Sequence, residues 1–350
     1  MKNKENIMAA LHCLRYNIPF VYYILPSESE SHFFANQSMP GSCSCRSERR
    51  FIISPWLGRF ERALTICDET GATDILKLSP EIMPDGLVPY GKSTGHDRYI
   101  ERLSLLIERL KNRGGKTVFS RTICGDMSGV NIERLIINQF ESYPLTFRYL
   151  YFTPQTGAWL GTSPEILIDY DCDTQRFMTM SLAGTRPWNE TTPWDEKTVE
   201  EQNIVTRYIG DELKECGVDY IVRRMDDYVF PPVKHICDIF TGTLTVDQLP
   251  GIINRLNPTP ALGGFPLDNA IEEINRFELH PRRCYGGFIA LSDSHNFKAY
   301  VNLRCINFSS SRYCIYTGGG ITSASNPEAE WIETENKTEL LRRNLDAASK

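Results

Sequence analysis

Residues 148–180 carry two β-hairpins in succession, and they constrain the fold more than any other stretch. Arg148–Thr153 and Ala158–Thr162 are aromatic and β-branched segments around the turn Pro154-Gln155-Thr156-Gly157. Ile166–Tyr170 and Arg176–Met180 repeat the arrangement around Asp171-Cys172-Asp173-Thr174. Strands joined by turns this short pair antiparallel, because a parallel neighbour needs a crossover of about a dozen residues. Three helical patterns are inserted among the strands. Thr94–Asn112 has a capping box (Thr94, Asp97) and an apolar stripe of Ile100, Leu103, Ile107 and Leu110. Val199–Cys216 ends at Gly217, and Asp268–Leu279 presents Ala270, Ile271, Ile274 and Phe277. Such a chain reads as α+β with antiparallel sheets.

At 350 residues and 41% hydrophobic content the chain can bury a large core. Residues 1–90, with short strands at Phe20–Leu25, Phe51–Ser54 and Asp74–Leu78, read as the N-terminal, peripheral part of the fold, and 91–350 as its core. A net charge of -6 argues against nucleic-acid binding. No apolar run approaches the roughly 18–20 residues that span a bilayer, and the N-terminus lacks a signal-peptide core. A cytoplasmic protein that engages no membrane is expected. In that compartment the 11 cysteines are expected to be reduced. Cys43 and Cys45 lie in a Ser-rich stretch with no second pair at zinc-ligand spacing, so a metal site there is not favoured.

Tyr316–Lys337 carries the clearest chemical signal. A strand runs into Gly318, Gly319 and Gly320, and a helix then opens at Asn326-Pro327, a good N-cap followed by a residue suited to the first turn. Glu330, Glu333 and Lys337 are spaced to share one helix face. The arrangement suits a small anion held through a divalent cation, or else a solvated face with an ordinary Glu333–Lys337 pair.

Further segments add weaker signals. Lys116 opens the strand KTVFSR; it reads as an edge residue, or, if enclosed, as a base. Glu165 in GTSPEIL is a turn carboxylate or a buried acid. LAGTRP (182–187) reads as a small-residue turn with exposed N–H groups. Glu200 and Glu201 sit on the second helix, and Asn257–Pro266 is a Pro/Gly-punctuated loop. In a strand over Phe297–Cys305, Arg304 faces away from Ala299, Val301, Leu303 and Cys305.

Taken in order, KTVFSR, GTSPEIL, LAGTRP, VEEQNIV, KHI, NPTPALGGFP, RRCYGGFIAL, NLRC and GGGITSASNPEAEWIETENK resemble the chorismate-utilising enzymes over about residues 95–345. The resemblance implies a single large α+β domain of two packed antiparallel sheets flanked by helices. It also implies chorismate as the small-molecule substrate and Mg²⁺ as cofactor. Glu201, Glu330 and Glu333 map to the metal ligands. Substrate-binding positions map to Ala183, Gly184, Thr185, His235, Ala261, Leu262, Tyr285, Arg304, Gly319, Gly320 and Lys337.

Lys116 stands where the ammonia-adding members carry Gln, and Ala183 where aminodeoxychorismate synthases carry a nucleophilic Lys. The resemblance is therefore closest to the water-adding branch, to isochorismate synthases of the menaquinone type, with Lys116 as general base, Glu165 as general acid and no amidotransferase subunit. Ala261-Leu262 favours this over salicylate synthase, which tends to carry a Thr in this region. The same motifs are compatible with an isochorismate synthase of a siderophore pathway and, less well, with a non-catalytic relative. Asn257 and Gln202 depart from the family's usual His residues.

Overall fold

The computed structural model describes residues 2–36, 48–78, 86–230 and 233–349; the Cys43–Cys45 stretch lies outside them. The chain begins with α1 (Lys2–Tyr16), β1 (Phe20–Ile24), β2 (His32–Ala35), β3 (Arg50–Ser54), β4 (Leu64–Cys67) and the short α2 (Ala72–Ile75). It continues through α3 (His96–Arg113), β5 (Lys116–Asp126), α4 (Ile132–Glu141), β6 (Phe147–Thr153), β7 (Gly157–Ser163), β8 (Ile166–Asp171) and β9 (Arg176–Pro187). Next come α5 (Glu196–Glu215), β10 (Tyr220–Phe230), β11 (Val233–Thr243), α6 (Leu249–Leu256), β12 (Gly264–Phe265) and α7 (Leu267–Phe277). The last elements are β13 (Phe288–Ser292), β14 (Asn296–Val301), β15 (Cys305–Phe308), β16 (Arg312–Ile321) and α8 (Pro327–Ala348).

The strands form two eight-stranded sheets, β12-β5-β16-β15-β7-β6-β1-β2 and β10-β11-β9-β8-β14-β13-β3-β4. Among the described residues every pairing is antiparallel, in the short-turn hairpins and between strands distant in sequence alike. Tyr149, Tyr151, Trp159 and Tyr316 from the first sheet meet Phe51, Ile53, Ile289 and Tyr300 from the second in an aromatic core between the layers. Helices α1, α4 and α8 cover the outer face of the first sheet, and α5 and α6 that of the second. No helix among the described residues is long and apolar enough to cross a membrane.

The N-terminal region supplies β1–β2 at one end of the first sheet and β3–β4 at one end of the second, all of them paired into the fold. Four local expectations are corrected. Asp74–Leu78 is not a strand: a helical turn, α2, follows Gly71. Helix α3 starts without the Thr94–Asp97 box: Gly95 is its N-cap, and the Thr94 N–H is drawn to Thr122 O on β5 at 2.9 Å. LAGTRP is not a turn but the end of β9, where Gly184 and Thr185 oppose the single residue His235 of β11. Gly184 has φ +67°, the left-handed geometry such a bulge needs. Finally, Phe297–Cys305 is not one strand. β14 ends at Val301 in the second sheet and β15 starts at Cys305 in the first.

That last break has a counterpart. β7 belongs to the first sheet and β8 to the second, so the chain also changes layers at Pro164-Glu165. The two crossings are bonded to each other. Val301 N–H donates to Glu165 O at 3.0 Å, and Ser163 Oγ donates to Val301 O at 2.6 Å.

Candidate active site

A cleft lies where the crossings, the β9 bulge, the glycine run of β16 and the first turns of α5 and α8 converge. Its lining includes Lys116, Glu165, Gly184, Glu201, His235, Ala261, Leu262, Tyr285, Arg304, Gly318–Gly320, Glu333 and Lys337.

The glycine run acts as a window through the sheet. Side chains alternate across a strand, and Cys314 and Tyr316 face the inter-sheet core while Ile315 and Ile321 face the outer helices. Gly318 and Gly320 therefore belong to the inner face and Gly319 to the outer. A Cβ on Gly319 would lie 3.2 Å from Glu330 Oε2 and 3.5 Å from Glu333 Oε1, both on α8 behind the sheet. A Cβ on Gly320 would overlap Glu201 Oε1 and lie 2.6 Å from Lys116 Cε on the inner side. Only a backbone without side chains lets groups approach from both faces.

Helix α8 is held in register by its cap and by β5. The Asn326 side chain accepts from Ala329 N–H. Buried Arg121, on the outward face of β5, donates to Thr334 Oγ1 at 2.7 Å, pairs with Glu335 and lies 3.8 Å over the Trp331 ring. Glu330 is buried and Glu333 half-buried, and Lys337 reaches Glu333 at 2.6 Å and Gly318 O at 2.9 Å. The Glu333–Lys337 pair lines the cleft, with both side chains still partly open to solvent. Glu200 points outward to Arg207, whereas Glu201 pairs with Lys116 at 2.6 Å. Lys116 is no edge residue: β5 lies between β12 and β16, and the side chain is 1% exposed.

Glu165 is buried at the first crossing. Burial drives its carboxyl up to about 7, although Lys116 and Arg304 pull the other way. Arg304 stands at the second crossing with φ +47°, a backbone strain tolerated where the chain leaves one sheet for the other. It faces the cleft because of that turn rather than through strand alternation, and burial lowers its guanidinium from the ordinary range. His235 on β11 is buried, and burial and the neighbouring Arg304 hold it down to about 3. Its Nδ1 donates to Gly184 O at 2.6 Å, so Nε2 is left as acceptor toward Arg304 Nη2 at 3.4 Å. Tyr285 stacks on Tyr316 with ring centroids 5.6 Å apart.

The side chains of Ala183 and Thr185 lie outside the described part of the structure. Asn257 is buried beside Gly58 O, 3.4 Å from its Nδ2. Gln202 turns away from the cleft. Its Nε2 donates to Ser181 Oγ at 2.8 Å and Asp238 Oδ2 at 2.9 Å, in a network anchored by Arg224. Among the described residues, no three His, Cys, Asp or Glu converge closely enough to hold one metal ion. Glu330 and Glu333 approach the window together from α8, while Glu201 is engaged by Lys116 on the inner side.

Sequence reasoning missed Thr198, Leu303, Tyr316 and Thr317, which also line the cleft. Thr198 stands three residues before Glu201, on the same helix face, and could have been found by that spacing. Leu303 could not, because its placement depends on the break after Val301.

The family model described as chorismate binding enzyme matches residues 80–346. The isochorismate synthase EntC of Escherichia coli K12 is 30% identical over 220 residues, which is 59% of this chain and 55% of EntC. The isochorismate synthase MenF of Bacillus subtilis is 26% identical over 333 residues, 88% of this chain and 68% of that protein. The chain thus spans about half the length of EntC and two thirds of the B. subtilis MenF. The solved structure of MenF, the menaquinone-specific isochorismate synthase of E. coli, superposes with a TM-score of 0.76 at 19% identity, covering 97% of this chain and 91% of that one. With a family match across the whole cleft-bearing core, the chain belongs to the chorismate binding enzymes.

Proposed function

We propose that this chain converts chorismate to isochorismate by adding water at C2 with loss of the C4 hydroxyl. One observation carries the reading: a buried acid near neutrality, Glu165, and a buried amine, Lys116, occupy one cleft with the glycine window.

Chorismate carries two carboxylates. Arg304, Lys337 and the N–H groups of the glycine run are the groups suited to receive them. Glu165, protonated in a large share of molecules near pH 7, donates its proton to the departing C4 hydroxyl. Lys116 takes the proton from the attacking water. An ammonium has no lone pair to accept with, so this role belongs to the amine released from Glu201, with its former proton passed to solvent before the water attacks. His235, held neutral, leaves the Arg304 charge uncompensated for the substrate.

Glu330 and Glu333 fit a hard divalent cation, with two carboxylates at a backbone that has no Cβ to exclude it, and Glu201 would join them on leaving Lys116. Such a cation, Mg²⁺ in this proposal, would supply charge neutralisation for a substrate carboxylate. The role of water as nucleophile, not ammonia, rests on Lys116. We place the product at the menaquinone branch, as in the E. coli MenF of matching fold, and expect no amidotransferase subunit. The test is incubation with chorismate and Mg²⁺, with and without ammonium and a chelator. Isochorismate as the product supports the reading. Salicylate with pyruvate, anthranilate, or no conversion overturns it.

A further inference from the structure

Two cysteines outside the cleft form a pair that the mechanism does not use. Cys124 on β5 and Cys314 on β16 are direct cross-strand partners, and both are free thiols. Their sulfurs are 3.1 Å apart. Directly opposed residues of an antiparallel pair have Cα atoms about 4.5 or 5.5 Å apart, and both values fall in the range of about 4.4–6.8 Å that a disulfide spans. Bond formation therefore needs only a sulfur approach of about 1 Å, to the S–S length of about 2.05 Å, and no rearrangement of the ladder. Cys314 is buried, but Cys124 is half-buried and gives a reagent access. Burial works against ionisation of both thiols, and Thr122, Arg312 and Arg283 work the other way at Cys124. Cys124, the accessible member, is the one a reagent meets first, and buried Cys314 is placed to resolve it.

We propose that Cys124 and Cys314 are an oxidation site, closing to a reversible cross-strand disulfide when a hydroperoxide, or an azo oxidant such as diamide that takes up the two thiol hydrogens as a hydrazine, reaches Cys124. With a hydroperoxide, the Cys124 thiolate attacks the peroxide oxygen, the O–O bond breaks, and the alcohol or water leaves. The sulfenic acid at Cys124 is then attacked by Cys314 sulfur. The S–O bond breaks, and hydroxide leaves with the Cys314 proton as water. Two thiols and one peroxide give one disulfide, one alcohol or water, and one water. The bridge joins residues 190 apart in sequence and ties together the two strands that carry Lys116 and the glycine window.

The test treats the full chain with diamide or with a small excess of hydrogen peroxide and follows intact mass, free thiols under denaturing conditions and the linked peptides. The expected result is loss of two thiols and two hydrogen atoms, a single peptide pair joining Cys124 to Cys314, and full recovery with dithiothreitol. Cys124→Ser should abolish the linked pair at the same dose. Cys314→Ser, if it folds, should instead leave Cys124 open to a stable sulfenic acid or a mixed disulfide. Linkage of other cysteines in preference, or an unchanged thiol count at doses that oxidise exposed thiols, overturns the proposal.

Discussion

Lys116 and Glu201 are joined at 2.6 Å across the inner side of the glycine window, so the amine and a carboxylate that the cation would need restrain one another. Replacing the amine by a neutral side chain of similar length separates the two roles. Lys116→Gln is expected to lower isochorismate formation by about 10²–10⁴-fold, the contribution typical of a general base. Mg²⁺ binding should persist, because Glu201 is then free. Product analysis with chorismate, together with metal titration, checks both. Near-normal turnover in this variant sinks the assignment of Lys116.

Glu165 is raised from 4.5 to about 7 in the folded chain. Between those values the native state binds a proton that the unfolded state has released, so this group's contribution to stability is present below 4.5 and lost as pH rises through about 7. Glu165→Gln should therefore be more stable than the native chain at pH 8 and little different at pH 5, while losing most turnover. In the native chain, turnover should decline as pH rises past about 7, where the acid loses its proton. Urea unfolding at the two pH values and a pH–rate profile provide the measurements.

His235 has the opposite dependence. Held down to about 3 against an ordinary 6.5, it stays neutral in the native chain while the unfolded chain takes up a proton. Its contribution is present above 6.5 and lost as pH falls toward 3. His235→Gln keeps a donor for Gly184 O and an acceptor for Arg304 without titrating in this range. The native chain should lose stability relative to this variant as the medium is acidified from pH 7 to pH 4, and parallel curves would contradict the neutral-imidazole account.

Gly319→Ala probes the outer side of the window. The added methyl would stand 3.2 Å from Glu330 Oε2, on a buried side chain with little room to move. The Mg²⁺ concentration needed for half-maximal turnover should rise by about tenfold or more, equivalent to about 1.4 kcal/mol of cation affinity. Thermal unfolding should change less than for Gly318→Ala, whose methyl would meet the Phe119 backbone oxygen at 2.8 Å.

Local signals in the sequence are legible where they are strong. The Asn326-Pro327 start of α8, its Glu330/Glu333/Lys337 face and the two hairpins are all present in the structure, because capping and short turns are decided by neighbouring residues. The failures share a cause in tertiary structure. Alternation continues through Leu303 and Cys305 although the strand ends at Val301, since the residues after the break enter a second apolar layer. LAGTRP has the composition of a turn, but pairing with β11 stretches it into a bulged strand. Helix α1 leaves little trace in the sequence because its stripe of Ile7, Ala10 and Cys13 is built largely from small residues. The resemblance to chorismate-utilising enzymes supplies the set of cleft residues that spacing alone could not assemble.

The paired crossings at Glu165 and Arg304 have a mechanical consequence. Each is a covalent strut between the two layers, and the struts are laced together through Glu165 O and Val301. If the layers slide or breathe, the acid and the guanidinium ride on the same hinge and keep their spacing. Lys116 and the window, anchored in one layer alone, are the parts whose alignment such motion would change.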